Sequence, residues 1–127
     1  MPRILLVDDD DSLRKMLRIT LVKMGYEVFE AQSGEDAMSQ FREVAPDVLI
    51  TDLIMPGKEG LEVIADLRRE RPAVKIVAIS GAGSIVTRNY LKLARTYGAD
   101  AVLAKPFSNE ELTAVLTGVG GSTELNA

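Results

Sequence analysis

The chain has 127 residues, of which 46% are hydrophobic and 27% are charged, and this composition predicts one globular domain with a single core. The formal net charge of −4 disfavours a surface for nucleic-acid phosphates, and the lack of a long apolar run or a signal-peptide pattern predicts a cytoplasmic protein without membrane contact. Because histidine and cysteine are both absent, disulfides, imidazole or thiolate zinc sites, and Ser-His or Cys-His nucleophiles are excluded.

Short apolar runs alternate with amphipathic stretches, which predicts parallel strands joined by crossover helices. In chain order we predict a strand from Ile4 to Val7, a helix from Ser12 to Met24, a strand from Glu27 to Ala31, a helix that begins at Ser33 and ends before Pro46, a strand from Val48 to Asp52, a helix from Gly60 to Glu70, a strand from Val74 to Ile79, a helix from Thr87 to Tyr97, a strand from Ala101 to Ala104, and a last helix that begins at Ser108. The first, third and fourth strands are almost wholly apolar, so we expect a doubly wound α/β fold with a five-stranded parallel sheet.

Two features of the helices complete this prediction. The buried face of the first helix is predicted from six residues that recur at helical spacing, namely Leu13, Met16, Leu17, Thr20, Leu21 and Met24. Glycines at 118, 120 and 121 are predicted to end the last helix. The predicted organisation is therefore one domain over residues 1–118 and a flexible C-terminal tail over residues 119–127.

Polar residues stand at the ends of four predicted strands. Asp8 and Asp9 follow the first strand, Asp52 ends the third, Ser80 follows the fourth and Lys105 follows the fifth. The carboxyl ends of parallel strands meet at one edge of a sheet, so we expect these side chains to converge. Three crowded carboxylates need a cation, and a few oxygen ligands suit Mg²⁺, which keeps several waters. Such a site could also bind a phosphoryl group that one carboxylate attacks.

Each of these residues also has a structural interpretation. Asp10 and Asp11 are suited to capping the first helix, and Asp8 or Asp9 could in principle do the same. Asp52 could form a turn before the Met55-Pro56 pair, and Lys105 alone could be a solvated lysine. The functional interpretation rests on the residues acting together.

Four short motifs stand at the ends of these strands. They are Leu6-Val7-Asp8-Asp9-Asp10, Asp52-Leu53-Ile54-Met55-Pro56 with Gly60 eight residues after Asp52, Ser80-Gly81, and Lys105-Pro106-Phe107. In this order the motifs resemble the receiver domains of two-component response regulators, over about residues 3 to 117. The resemblance implies a flavodoxin-like fold with strand order 2-1-3-4-5 and a role as a phosphoprotein in signal transduction.

The resemblance also implies a role for each site residue. Asp52 would be the phosphoacceptor, and Mg²⁺ would be held by Asp8, Asp9, Asp52 and the backbone carbonyl of Ile54. Lys105 would pair with a phosphoryl oxygen and Ser80 would hydrogen-bond another. A cis peptide bond between Lys105 and Pro106 is expected. The chain would catalyse its own phosphorylation and dephosphorylation without being an enzyme for other substrates.

The partners follow from the same resemblance. The phosphoryl donor would be a histidine kinase or a histidine phosphotransfer protein, and a downstream protein would bind the face formed by the fourth helix, fifth strand and fifth helix. Val102 stands where many receivers carry an aromatic switch residue, so an aromatic ring flip cannot relay the signal.

The chain length predicts a single-domain regulator or a phosphorelay intermediate, although a receiver fragment of a larger regulator or hybrid kinase is an alternative. A phosphorylation-independent docking module is another alternative. An aspartyl-phosphate phosphatase is disfavoured because Ile54 stands where a general acid is needed, and a flavin binder is disfavoured because the acids would repel its phosphate.

Overall fold

The computed structural model describes residues 2–53, 60–80 and 92–120, of which residues 119 and 120 are described by their backbone only. Its elements are β1 (Arg3–Val7), α1 (Asp11–Lys23), β2 (Glu27–Ala31), α2 (Gly34–Val44), β3 (Val48–Asp52), α3 (Gly60–Glu70), β4 (Lys75–Ser80), a helical segment α4 (92–97), β5 (Ala101–Ala104) and α5 (Asn109–Gly120). The predicted α/β alternation is confirmed. No helix among the described residues is long and apolar enough to cross a bilayer.

The five strands form one parallel sheet in the order β2-β1-β3-β4-β5, as the resemblance implied. Val7 lies beside Thr51, Asp52 beside Ile79, and Ser80 beside Ala104, so neighbouring strands end nearly level with one another. The residues that end or follow β1, β3, β4 and β5 therefore lie along one edge of the sheet. The chain order reverses at β1 and β3, and a crevice is expected there at the carboxyl edge.

The sheet is covered on both faces because side chains alternate along each central strand. Leu5 and Val7 of β1 point into a core shared with α2, α3 and α4, whereas Ile4 and Leu6 point into a core shared with α1 and α5. All four side chains are essentially fully buried, and each contributes about 2 kcal/mol through the hydrophobic effect. This two-sided burial holds β1 and β3 rigidly, and with them the residues at their ends.

Side-chain caps define the starts of two helices. The Ser33 hydroxyl accepts a hydrogen bond from the Asp36 amide at 3.1 Å at the start of α2. At α5 the Ser108 hydroxyl accepts from the Glu111 amide at 3.0 Å, and the Glu111 carboxylate accepts from the Ser108 amide at 2.8 Å. This reciprocal pair is a capping box, and it stands at the predicted start of the helix.

One detail of the sequence prediction is wrong. Met16 is 59% exposed, because the inward face of α1 is centred on Arg14, Leu17 and Leu21. The last helix extends to Gly120, within the group of glycines at 118, 120 and 121 that was predicted to end it. Residues 121–127 of the predicted tail, and the part of the predicted fourth helix before residue 92, lie outside the described residues.

Candidate functional site

Five polar residues predicted from the sequence come together at the carboxyl edge of the sheet. Asp8 and Asp9 follow β1, Asp52 ends β3, Ser80 ends β4 and Lys105 follows β5. Asp8, Asp52 and Ser80 are buried, whereas Asp9 is exposed. The described residues therefore form an acidic cluster in which two carboxylates are buried and one is exposed.

The three carboxylates of Asp8, Asp9 and Asp52 each place one oxygen within 4.8 Å of the others. This separation lets a single hard cation contact all three groups, or contact some of them through water. The donor set consists of oxygen atoms alone, which suits Mg²⁺ and does not suit a metal that prefers nitrogen or sulfur. The residues present therefore fit the predicted ion.

Lys105 brings a positive charge to two of these acids. Its Nζ lies 3.2 Å from Asp52 Oδ2 and 3.5 Å from Asp8 Oδ2. Burial by itself would lower the pKa of the Lys105 ammonium, but the charges and hydrogen bonds of Asp52 and Asp8 together raise the pKa above its ordinary value. The Lys105 amide donates to the Ser80 carbonyl at 2.8 Å, and the Lys105–Pro106 peptide bond is cis, as expected.

Asp8 is the most strongly buried acid of the site, with 1% of its surface exposed. Its Oδ1 accepts a hydrogen bond from the Asp10 amide at 2.9 Å. Burial raises the pKa of Asp8 and the negative charge of Asp52 adds to this increase, although the Asp10 amide and Lys105 oppose it. The ionised form of Asp8 is therefore destabilised in the metal-free protein, and a bound cation would stabilise it.

The hydroxyl of Ser80 is fully buried and has no hydrogen-bond partner among the described residues. A buried hydroxyl without a partner costs about 1–3 kcal/mol, so few are left in this state. Ser80 ends β4, which lies between β3, the strand that ends at Asp52, and β5, the strand that Lys105 follows. An acceptor atom bound at the sheet edge could supply the missing partner.

Gly60, at the start of α3, lies directly against the end of β3. A Cβ atom at this position would lie 2.1 Å from the carbonyl oxygen of Asp52 and 2.6 Å from the Cα of Leu53. The Gly60 amide donates to the Leu53 carbonyl at 3.0 Å. Only glycine permits this approach, so the Gly60 of the sequence motif helps to set the backbone around Asp52.

One residue near the site, the buried Arg14 of α1, was not predicted from the sequence motifs. Its guanidinium donates to the backbone carbonyl of Asp8 at 2.7 Å. The sequence does carry a signal, because Arg14, Leu17 and Leu21 share a helical face on which a basic residue is unexpected.

The predictions for Ile54 and Val102 concern a metal ligand and the relay of the signal. Ile54 lies outside the described residues, and its carbonyl as a metal ligand stays a prediction. Val102 is half-buried and packs against the core shared with α2 and α3.

Comparison with known proteins gives consistent matches. A family profile described as the response regulator receiver domain matches residues 4–117. The transcriptional regulatory protein TrcR of Mycobacterium tuberculosis is 35% identical over 92% of this chain and 44% of its own length. The transcriptional regulatory protein AfsQ1 of Streptomyces coelicolor is 33% identical over 94% of this chain and 51% of its own length. The chain thus spans about half the length of these curated relatives.

Solved structures agree with the sequence matches. The response regulator TrrA of Thermotoga maritima, crystallised in complex with Mg²⁺-BeF, superposes with a TM-score of 0.83 at 33% identity, over 94% of this chain and 99% of that one. The chemotaxis protein CheY4 of Vibrio cholerae gives a TM-score of 0.84 at 31% identity, over 94% of this chain and 98% of that one.

Proposed function

Because this chain belongs to the response regulator receiver family of two-component systems, we propose that it is a phosphorylation-activated switch in which Asp52 accepts the phosphoryl group. In this proposal Asp8, Asp9 and Asp52 hold Mg²⁺, Lys105 and Ser80 bind the phosphoryl oxygens, and the new charge alters contacts with other proteins. The TrrA structure solved with Mg²⁺-BeF supports the choice of metal.

One observation carries the proposal. A lysine ammonium bridges two buried carboxylates at 3.2 and 3.5 Å, beside a third carboxylate and a buried hydroxyl without a partner among the described residues. Among these residues three carboxylates face one ammonium, so negative charge is in excess, and the hydroxyl of Ser80 has nothing to donate to. A bound cation would offset the excess negative charge. The oxygens of a bound phosphoryl group would accept a hydrogen bond from the hydroxyl.

The proposed chemistry is a phosphoryl transfer from nitrogen to oxygen. A carboxylate oxygen of Asp52 attacks the phosphorus of a phosphohistidine, the nitrogen–phosphorus bond breaks, and the imidazole leaves with the electron pair. The histidine must come from a partner, because this chain contains none. Bound Mg²⁺ would supply positive charge to the transferring group.

The chain's own residues would orient and stabilise the product. Lys105 already lies within 3.2 Å of Asp52, so its ammonium can pair with a phosphoryl oxygen after a small movement. The Ser80 hydroxyl can donate to a second oxygen. Phosphorylation adds about −1.5 to −2 charges, which favours a conformation closed around Ser80 and Lys105. Because Val102 is not aromatic, a ring flip at this position cannot carry the change to the face of α4, β5 and α5.

The partners belong to the same proposal. We expect a histidine kinase or a phosphotransfer protein as donor, a downstream protein on the α4-β5-α5 face, and dephosphorylation catalysed by this chain. The curated relatives are named transcriptional regulators. The absence of nucleic-acid contacts for these 127 residues, the cytoplasmic location and the single-domain organisation all stay predictions.

The deciding experiment measures intact mass after incubation with a small-molecule phosphodonor. Wild type, Asp52→Asn and Asp9→Asn are each treated with Mg²⁺ and with EDTA. We expect wild type to gain one phosphoryl group only with Mg²⁺, Asp52→Asn to gain none, and Asp9→Asn to gain it more slowly because Asp52 is retained while the metal site is weakened.

Two results would contradict the proposal. If Asp52→Asn were modified as fast as wild type, another residue would be the phosphoacceptor. If folded, Mg²⁺-binding wild type gained no phosphoryl group, a phosphorylation-independent docking module would be the better description.

A further inference from the structure

Arg14 is a charged residue at a position of α1 where an apolar residue would be expected. It is 8% exposed and shares the inward face of the helix with Leu17 and Leu21. A guanidinium buried in this way is stable only when its donors are satisfied by well-placed acceptors. Its location should therefore be explained by the groups it contacts.

Arg14 contacts three acceptors from three parts of the chain. Its NH1 donates to the backbone carbonyl of Asp8 at 2.7 Å, its NH2 to Asp11 Oδ1 at 2.7 Å, and its Nε to Glu30 Oε1 of β2 at 2.9 Å. Burial by itself would lower the pKa of Arg14, but Asp11 and Glu30 together raise the pKa above its ordinary value. The planar fork of an arginine fits three such acceptors in a way that lysine cannot.

The hydrogen bond from Arg14 acts together with two others that hold Asp8 in place. The Asp8 amide donates to the Ala31 carbonyl of β2 at 3.1 Å, and Asp8 Oδ1 accepts from the Asp10 amide at 2.9 Å. Arg14 holds the remaining backbone group, the carbonyl that begins the peptide unit between Asp8 and Asp9. The orientation of this peptide unit determines where the Asp9 carboxylate lies relative to Asp8 and Asp52.

The charge around Arg14 is balanced. Arg18 lies 3.3 Å from Glu30 as well, so two arginines face the carboxylates of Asp11 and Glu30. The cluster as a whole therefore contributes little net field to the acids of the site. Its influence on them is expected to come through the hydrogen bond to the Asp8 carbonyl.

We propose that Arg14 is a positioning residue of the metal site, which holds the Asp8–Asp9 peptide unit so that both carboxylates can bind one Mg²⁺. The inference rests on the proposed function, since it concerns the same ion. It assigns to α1 and the edge strand β2 a part in metal binding, although neither provides a ligand.

Replacing Arg14 removes both a charge and a hydrogen bond, and the two losses should change the affinity for Mg²⁺ in opposite directions. Removing a nearby positive charge should by itself strengthen the binding of a cation. Loss of the hydrogen bond that positions Asp8 and Asp9 should weaken it, and loss of outer partners of metal ligands typically weakens affinity roughly tenfold or more. The sign of the change thus separates the two explanations.

The test is an NMR titration of amide resonances with MgCl₂, run on wild type, Arg14→Met and Arg18→Met. The control removes the same charge and a partner of the same Glu30, but Arg18 has no hydrogen bond to Asp8. We expect the dissociation constant to rise roughly tenfold in Arg14→Met, and to stay equal or fall slightly in Arg18→Met. Phosphorylation of Arg14→Met by a small-molecule donor should return towards the wild-type rate at saturating Mg²⁺.

Equal or tighter Mg²⁺ binding by folded Arg14→Met would overturn the inference. If that variant does not fold, Arg14→Lys takes its place, because it keeps the charge but cannot reach all three acceptors. We expect Arg14→Lys to bind Mg²⁺ several-fold more weakly, and wild-type affinity would overturn the inference. Failure of wild type itself to bind Mg²⁺ would instead refute the proposed function.

Discussion

Replacing Asp8 by asparagine should stabilise the metal-free protein while it weakens the metal site. The substitution keeps the shape of the side chain and an oxygen that can accept from the Asp10 amide, but removes a buried charge. Asp8 and Asp52 oxygens up to 4.8 Å apart repel by about 3.5 kcal/mol at an effective dielectric of 20, and Lys105 at 3.5 Å attracts Asp8 by about 4.7 kcal/mol.

These two interactions nearly cancel, so the desolvation of the buried carboxylate decides the sign. Lys105 keeps Asp52 as a partner when Asp8 is replaced, so no buried charge is left unpaired, and relief of the desolvation cost of Asp8 predicts a gain of about 1–2 kcal/mol. For a domain of this size the gain corresponds to a rise in melting temperature of about 4–8 °C. Mg²⁺ binding should then stabilise the variant much less than wild type.

The assay is thermal unfolding by circular dichroism in EDTA and in Mg²⁺, with Asp9→Asn as the control. Asp9 is exposed, so its replacement should reduce the Mg²⁺-dependent rise without a comparable gain in EDTA. A melting temperature of Asp8→Asn below that of wild type in EDTA at pH 7 would refute the reasoning.

The raised pKa of Asp8 also fixes the direction of a pH dependence. The folded protein holds a proton on Asp8 more tightly than the unfolded chain does, whose pKa is near the ordinary value of 3.8. The contribution of Asp8 to metal-free stability therefore falls as pH rises from that value through the raised pKa, and the loss is complete above it. Asp8→Asn should lack this component in a series of melting curves.

Four other substitutions, one of them a control, test different parts of the structure by urea denaturation. Gly60→Ala should destabilise the fold by about 3 kcal/mol, because the new Cβ atom would clash with the backbone of Asp52 and Leu53. The control Gly25→Ala should cost only about 1 kcal/mol, because Gly25 has open space around it and only its φ of 100° opposes alanine. Equal losses in the two variants would contradict the steric explanation. Lys105→Met should lower the stability of the metal-free protein by about 2 kcal/mol, because two buried carboxylates lose their positively charged partner. Added Mg²⁺ should restore most of the lost stability. A loss that Mg²⁺ does not change would argue against an electrostatic origin. Ser108→Ala should cost about 1 kcal/mol through loss of the α5 cap, and no change would show that Glu111 alone suffices.

The predicted elements agree with the structure where local patterns are strong. The bounds of β2, β3, α3 and β5 match the prediction residue by residue. Strong apolar runs, strand-ending acids and glycine or proline boundaries act over a few neighbouring residues, so a sequence displays them directly. Strand order came from the family resemblance.

The face of α1 shows where local pattern is insufficient. Hydrophobic spacing placed Met16 inside, but the structure places Arg14 inside and Met16 in solvent. The reason lies in β2, an edge strand whose half-buried Glu30 accepts from Arg14. Which helical residue faces inward was decided by a carboxylate sixteen positions later in the chain.

The sequence by itself determined the alternation of strands and helices and the kinds of groups that stand at the strand ends. Tertiary structure alone decided how those groups meet, because Lys105 and Asp52 are 53 positions apart and contact each other only through the register of β3, β4 and β5. The same register buries the Ser80 hydroxyl. The packing of α3 against β3 brings Gly60 close to the carbonyl oxygen of Asp52. Contacts between distant segments depend on the packing of the whole chain, and no short pattern of residues specifies them.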